Sequence, residues 1–270
     1  MKELLLAFQF LTIIPVRVRG NISDGEVSRS AVFFPAVGAF QGMLAVVTAF
    51  LSARLFGSEI ASIMTVLVLA ASNGGFHLDG LADTFDAMAV KSTGNDATDI
   101  GKRLSVMKDG KAGPIGVISI IFAVLLKCLL LKGLFLNAQP AAFYCSLFIM
   151  PVYSKWAMVP PMFHGISARE DGLGKVFIEN TGMGTVVLSS CMAIIVSLFV
   201  ATLWLNHAYG PSITLLLFIL PAFLYLYGFI SAKYCAKKFG GLTGDIFGAI
   251  SEGSEIFFLL GVSVWLPHSI

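Results

Sequence analysis

Charge is what this sequence has least of. Only 13% of its 270 residues are Asp, Glu, Lys or Arg, while 57% are hydrophobic; a soluble domain carries about 25% charged residues. With a mean hydropathy of +0.86, a soluble fold of this length would lack the polar residues to cover its surface. That excludes an ordinary cytosolic domain and points to a polytopic membrane protein embedded in a lipid bilayer. A strong basic balance is missing too: the formal charge is +2 and there is no basic tail, so nucleic acid is excluded as a partner. The four cysteines, Cys128, Cys145, Cys191 and Cys235, show no CxxC or other ligand spacing, which removes the case for a zinc site or disulfide framework. They read as small apolar residues in helix packing. A leader cleavage site is also lacking, because the apolar run 2–16 contains Pro15 and is followed by Arg17 and Arg19. This stretch is expected to be a retained interfacial or re-entrant helix.

Long hydrophobic runs are plentiful. A span needs about 20 apolar residues, and seven are expected, at 31–51, 60–76, 115–135, 141–163, 183–205, 213–232 and 246–266. The second is short and fades into Asn73, Gly74 and Gly75, so a break is expected at its end. Pro151 and Pro221 fall inside spans and predict kinks. The fold class is therefore all-α: one integral membrane domain over 1–270, a bundle of about seven transmembrane helices. To these are added the N-terminal helix and a cytoplasmic amphipathic helix at 95–107. Oligomerisation is compatible with this reading, and the sequence does not decide it.

Fourteen of the eighteen Lys and Arg residues fall on one side of this arrangement. The positive side stays cytoplasmic, which puts the N-terminus inside and the C-terminus outside, as expected in a prokaryotic inner membrane. Fifteen of the sixteen carboxylates sit on the same side, Glu59 being the exception. A transporter needs polar access from both sides; this chain reads as doing its work on one.

The strongest local signal is the block Gly74 to Asp86. Asp79, Asp83 and Asp86 stand at i, i+4 and i+7, which on a helix puts three carboxylates on one face. Like charges this close repel unless a cation lies between them. Hard oxygen ligands suit Mg²⁺, which typically takes one or two carboxylates plus substrate phosphates. Small Gly80 and Ala82 would let a ligand approach the backbone. A solvated acidic face is the plainer alternative. The run Gly240 to Asp245 echoes this block: Gly-Gly precedes each leading aspartate by the same spacing, and Glu252 follows Asp245 as Asp86 follows Asp79. Asp245 and Glu252 are thus candidates for the second half of one metal site. Glu252 and Glu255 lie about 10–15 Å along the last span at 1.5 Å per residue. Pairing with an in-span base, Lys155 or Lys127, is the competing reading.

Cationic candidates lie nearby. Arg103, Lys108 and Lys111 lead into the Gly-rich turn 110–116, where helix-start N–H groups and basic side chains together form an anion site. Arg29 is a further phosphate candidate, and anchoring charge explains the same residues without a ligand. His77 beside the acidic face is a candidate general base, or an ordinary hydrogen-bonded histidine. The charged, Gly-punctuated segment 168–177 reads equally as a substrate lid or a connector. Together these parts suit handling of a diphosphate, where positioning and charge neutralisation supply most of the catalysis.

The chain resembles the cobalamin synthase family, the adenosylcobinamide-GDP ribazoletransferases. The resemblance covers nearly the whole chain. It rests on the run Phe10 to Pro15, Ser28 and Arg29 with Phe34, Pro35 and Gly38, and the Gly74 to Asp86 block. Arg103 with Met107, Lys108 and Asp109, Ala168 to Gly174, and Gly240 to Asp245 with Gly248 and Ala249 complete it. Lys108 and Lys111 stand where some relatives are expected to carry arginine, which keeps the charge and loses the bidentate fork. The resemblance implies Mg²⁺-dependent transfer from adenosylcobinamide-GDP to the 5′-hydroxyl of α-ribazole, with release of GMP, and it allows α-ribazole 5′-phosphate as a second acceptor, giving adenosylcobalamin phosphate. The site it implies has Asp79, Asp83 and Asp86 on Mg²⁺, Asp245 and Glu252 as a second ligand set, and Arg29, Arg103, Lys108 and Lys111 on phosphate. His77 or Asp83 would take the hydroxyl proton. A UbiA-like prenyltransferase and a corrinoid permease are the alternatives.

Overall fold

The computed structural model describes residues 1–204 and 210–265. His207, His268, the outer ends of two expected spans at Leu205 and Leu266, and the C-terminus at Ile270 lie outside the described residues. The chain order is α1 (Lys2–Leu11), α2 (Asp24–Ser30), a 3₁₀ turn (Ala31–Phe33), α3 (Phe34–Ser72), α4 (Phe76–Met88), α5 (Asp96–Lys108) and α6 (Pro114–Asn137). It continues with α7 (Pro140–Trp156), α8 (Val159–His164), α9 (Leu173–Asn180), α10 (Met183–Trp204), α11 (Gly210–Phe239) and α12 (Gly244–Trp265). Among the described residues there is no strand, only one isolated bridge between Ser167 and Leu242. The protein is an all-α bundle.

Six helices among the described residues are long and apolar enough to cross a membrane. The expected number was seven, and the difference lies in α3, which holds both of the first two expected spans. Gly57 interrupts it with φ 82° and ψ −178°, a conformation open to glycine alone at little cost. The chain reverses there. Gln41 Nε2 donates to Ser72 Oγ at 2.9 Å, although in a straight helix the two would be about 46 Å apart. The second arm, residues 58–72, rises only about 22 Å at 1.5 Å per residue. It stops at the expected Asn73–Gly75 break, and α4 begins beyond it.

The bundle packs around α7, the most enclosed of the long helices. Gly38 and Gly42, one turn apart on the first arm of α3, face the α7 backbone at Pro151 and Phe148, with no room for a Cβ. This is the small-residue packing that lets membrane helices approach closely. The fourth expected span is divided: α7 ends at Trp156, and Pro160 and Pro161 open α8. The amphipathic helix forms as expected, its start capped by Asn95 Oδ1, which accepts from the Thr98 N–H at 3.1 Å.

Charge segregates along the bundle. At one end meet the α2 and α9 regions (Ser28 Oγ to Thr181 Oγ1, 3.3 Å), α4, α5, and the starts of α6 and α12. At the other end Glu59 pairs with Lys132 at 2.8 Å, so the lone outlying carboxylate has a local partner.

Candidate active site

The site forms where α4 crosses α12. The two helices run antiparallel, Gly80 against the backbone of Asp245 and Gly248 against the backbone of His77. A Cβ on Gly80 would strike the Asp245 carbonyl, so the space read from the sequence as room for a ligand is room for a helix. Through this contact the two Gly-Gly motifs, far apart in sequence, bring Asp79, Asp83 and Asp245 to one place. Asp83 is buried, while Asp79 is exposed and Asp245 half-buried. Burial, then the charges of Asp79, Asp245 and Asp86, pushes the Asp83 carboxyl up to about 6, with Arg169 opposing.

Arg169 is the residue that sequence reasoning missed. Its Nη2 donates to Asp245 Oδ2 at 2.9 Å, and the same oxygen accepts from Thr243 Oγ1 at 3.2 Å. Segment 166–168 is zipped to the α12 approach: the Ala168 N–H donates to the Leu242 carbonyl at 3.0 Å and the Leu242 N–H to the Ile166 carbonyl at 2.8 Å. The motif that read equally as lid or connector is thus tied to the base of α12. No spacing rule links positions this distant; the only clue was that both motifs are Gly-punctuated and charged on the same side.

Other candidates go elsewhere. Asp86 turns to α6, where its two oxygens accept from the Gly113 N–H at 2.6 Å and the Gly116 N–H at 2.8 Å. The Gly-rich turn does hold an anion at a helix start, and that anion is the chain's own carboxylate. Glu252 does not join Asp245. It lies inside the bundle, paired with Lys127 at 2.6 Å, and Glu255 pairs with Lys127 at 2.9 Å and Lys155 at 3.4 Å. Seven residues along α12 carry a side chain about 10 Å inward, away from the polar end. Arg103 is buried, its Nη1 donating to the Lys238 carbonyl at 3.0 Å and its guanidinium 3.8 Å from Asp99. It docks α5 on the negative end of α11. Asp99 also accepts from Ser92 Oγ, from Thr93 Oγ1 and from the Thr93 N–H, and these bonds hold its carboxyl down at about 2. Arg29 is exposed and 3.7 Å from Glu3. Lys108 and Lys111 are exposed beside the α5–α6 turn, with Lys111 3.6 Å from Asp109. His77 is buried, its Nδ1 3.4 Å from Asn73 Nδ2.

Among the described residues no three His, Cys, Asp or Glu side chains stand as a ready-made metal cage. The chemistry of Asp79, Asp83 and Asp245 nevertheless fits a hard divalent cation: these are oxygen donors, and burial together with the charges of Asp79 and Asp245 raises Asp83. Mg²⁺ characteristically needs few protein ligands, because water and substrate phosphates complete its shell.

Residues 3–263 match the family model described as cobalamin-5-phosphate synthase. An adenosylcobinamide-GDP ribazoletransferase of Thermodesulfovibrio yellowstonii is 34% identical over 98% of both chains. Proteins of the same description from Caldanaerobacter subterraneus subsp. tengcongensis (30% identical, 98% of both chains) and Clostridioides difficile (31%, 96% of both chains) are similar. No solved structure matches. By a match that covers nearly its whole length, this chain belongs to the cobalamin-5-phosphate synthase family.

Proposed function

We propose that the protein joins adenosylcobinamide-GDP to α-ribazole, or to its 5′-phosphate, giving adenosylcobalamin or its phosphate and GMP. The observation that carries this reading is the meeting of Asp79 and Asp83 with Asp245 at the polar end of the bundle. In the reaction, a ribose hydroxyl of the ribazole other than the 5′-hydroxyl, free in both acceptors, loses its proton as its oxygen forms a bond to the corrinoid-side phosphorus, and the bond from that phosphorus to GMP breaks. Asp79 and Asp245 are the residues that would hold Mg²⁺, and both act on the charge of Asp83. When bound, the ion supplies charge neutralisation on the diphosphate. Asp83, already raised towards neutrality, is suited to take the hydroxyl proton. His77, enclosed against α12, supports α4. Lys108, Lys111 and Arg29 are exposed cations available to phosphate oxygens, whereas Arg103, Asp86 and Glu252 act within the scaffold.

We place the polar end, with the N-terminus, on the cytoplasmic side of a prokaryotic inner membrane, because its loops hold most of the basic residues. The test is conversion of the two purified substrates by the protein in detergent, with and without Mg²⁺. Cobalamin and GMP in equal amounts, only with Mg²⁺, are expected. Release of inorganic diphosphate from a prenyl donor, or corrinoid uptake into vesicles without nucleotide turnover, would overturn the proposal.

A further inference from the structure

Arg169, which is bonded to Asp245, also lines a cavity of about 440 Å³. Ser167, Arg169, Glu170, Lys175 and Glu179 are its polar lining. The Arg169 guanidinium has five N–H donors. It makes one side-chain bond, to Asp245, and its Nε is buried without an acceptor. Lys175 is held loosely, on the Glu170 carbonyl at 2.9 Å and 3.7 Å from Glu179. The backbone here is fixed by the two hydrogen bonds to Leu242, so any rearrangement of Arg169 is a side-chain swing.

We infer that the cavity is a subsite for the phosphate groups of a nucleoside diphosphate, and that the Arg169–Asp245 pair is a latch joining anion binding to cation binding. This rests on the function proposed above. When the pair separates, the arginine needs an anion and the aspartate needs a cation. Phosphate alone, or a divalent cation alone, would leave one half of the pair uncompensated. A diphosphate carrying its divalent cation satisfies both halves at once: its oxygens take the Arg169 fork, and Asp245 turns to the metal. The pair therefore makes the two ligands bind cooperatively, each raising the affinity for the other by the same factor. It also gives the buried Nε a partner, which an unpaired buried donor otherwise lacks.

The test uses GDP and Mg²⁺ as probes, titrated calorimetrically into the purified full-length protein in detergent. In the wild type, Mg²⁺ should raise GDP affinity by about tenfold or more, the size of one charge-assisted interaction. In Arg169→Ala, GDP should bind about tenfold more weakly, while Mg²⁺ alone should bind more tightly, because Asp245 is released. Lys175→Ala removes a cation from the same cavity without touching Asp245; it should weaken GDP and leave Mg²⁺ unchanged. Arg169→Lys keeps the charge, loses the fork, and should weaken GDP while retaining cooperativity. The latch is overturned if Arg169→Ala leaves Mg²⁺ affinity unchanged, or if Lys175→Ala tightens Mg²⁺ equally, which would mark a general field effect. Cobalamin formation by the wild type together with either result refutes the latch and leaves the function standing. Failure of the wild type to bind GDP with Mg²⁺ refutes the subsite, whereas absence of cobalamin formation refutes the function.

Discussion

Replacing Lys127 by Met separates a structural role for Glu252 from a metal-binding one. In the folded protein Lys127 Nζ lies 2.6 Å from Glu252 and 2.9 Å from Glu255. All three side chains are almost fully enclosed between α6 and α12. Lys155 reaches only Glu255, at 3.4 Å, and is otherwise engaged with Ser251 Oγ at 3.0 Å and Ser154 Oγ at 3.3 Å. Lys127→Met therefore leaves Glu252 with no cation beside it and Glu255 with one distant one. Breaking a buried pair from one side costs about 3–5 kcal/mol, which for a chain of this size lowers the melting temperature on the order of 10 °C. Glu252→Gln should cost less, since Lys127 keeps Glu255. The double variant Lys127→Met with Glu252→Gln should recover much of the loss, because the uncompensated charge on Glu252 is gone. The assay is thermal unfolding in detergent, run beside the Mg²⁺ dependence of turnover. If Glu252→Gln raises the Mg²⁺ requirement while stability stays unchanged, Glu252 belongs to the metal site and this reasoning fails.

Three further outcomes follow from the geometry. Gly80→Val should separate α4 from α12, because even a Cβ meets the Asp245 backbone; turnover should fall by about a hundredfold or more, as misplacement of about 1 Å can cost, and unchanged turnover would contradict the crossing. In metal-free protein the raised carboxyl of Asp83, about 6 against an ordinary 3.8, means that the folded state holds a proton which the unfolded state has lost. Stability should therefore fall as pH rises through that window; Asp83→Asn should flatten this slope, and melting curves across pH check it. Asp99 has the opposite sign: with its carboxyl held at about 2 against 3.8, its stabilising bonds are complete above pH 4 and lost as pH falls towards 2. Asp99→Asn should remove that part of the acid transition in the same measurement.

Much of this was legible in the sequence because hydrophobic length and helical period are local properties. The amphipathic helix opened by Asn95, the Gly-Gly break before α4 and the crowding of charge at one end needed nothing beyond neighbouring residues. The two Gly-Gly motifs that echo one another in the sequence do begin helices that pack together, Gly80 against Asp245 and Gly248 against His77. Partners were harder to read. Period tells which face a carboxylate occupies, not what meets it: Asp86 met the start of α6, Glu252 met a lysine on α6, and Arg103 met the end of α11. Those contacts depend on how helices pack, as does the role of Gly80. Arg169 was hidden for the same reason, because only the pairing of its segment with Leu242 brings it to Asp245. The first two expected spans are the two arms of one folded-back helix, and the chain turns at Gly57, inside the connection expected between them.

The central claim is that α4 and α12 jointly build one divalent-cation site, and the Mg²⁺ activation of turnover in Asp79→Asn, Asp245→Asn and the double variant tests it most directly. Both single variants should need several-fold more Mg²⁺, and the double variant should lose less than the product of the two, as residues sharing one ligand do. An unchanged Mg²⁺ requirement in Asp245→Asn, with turnover intact, would contradict it.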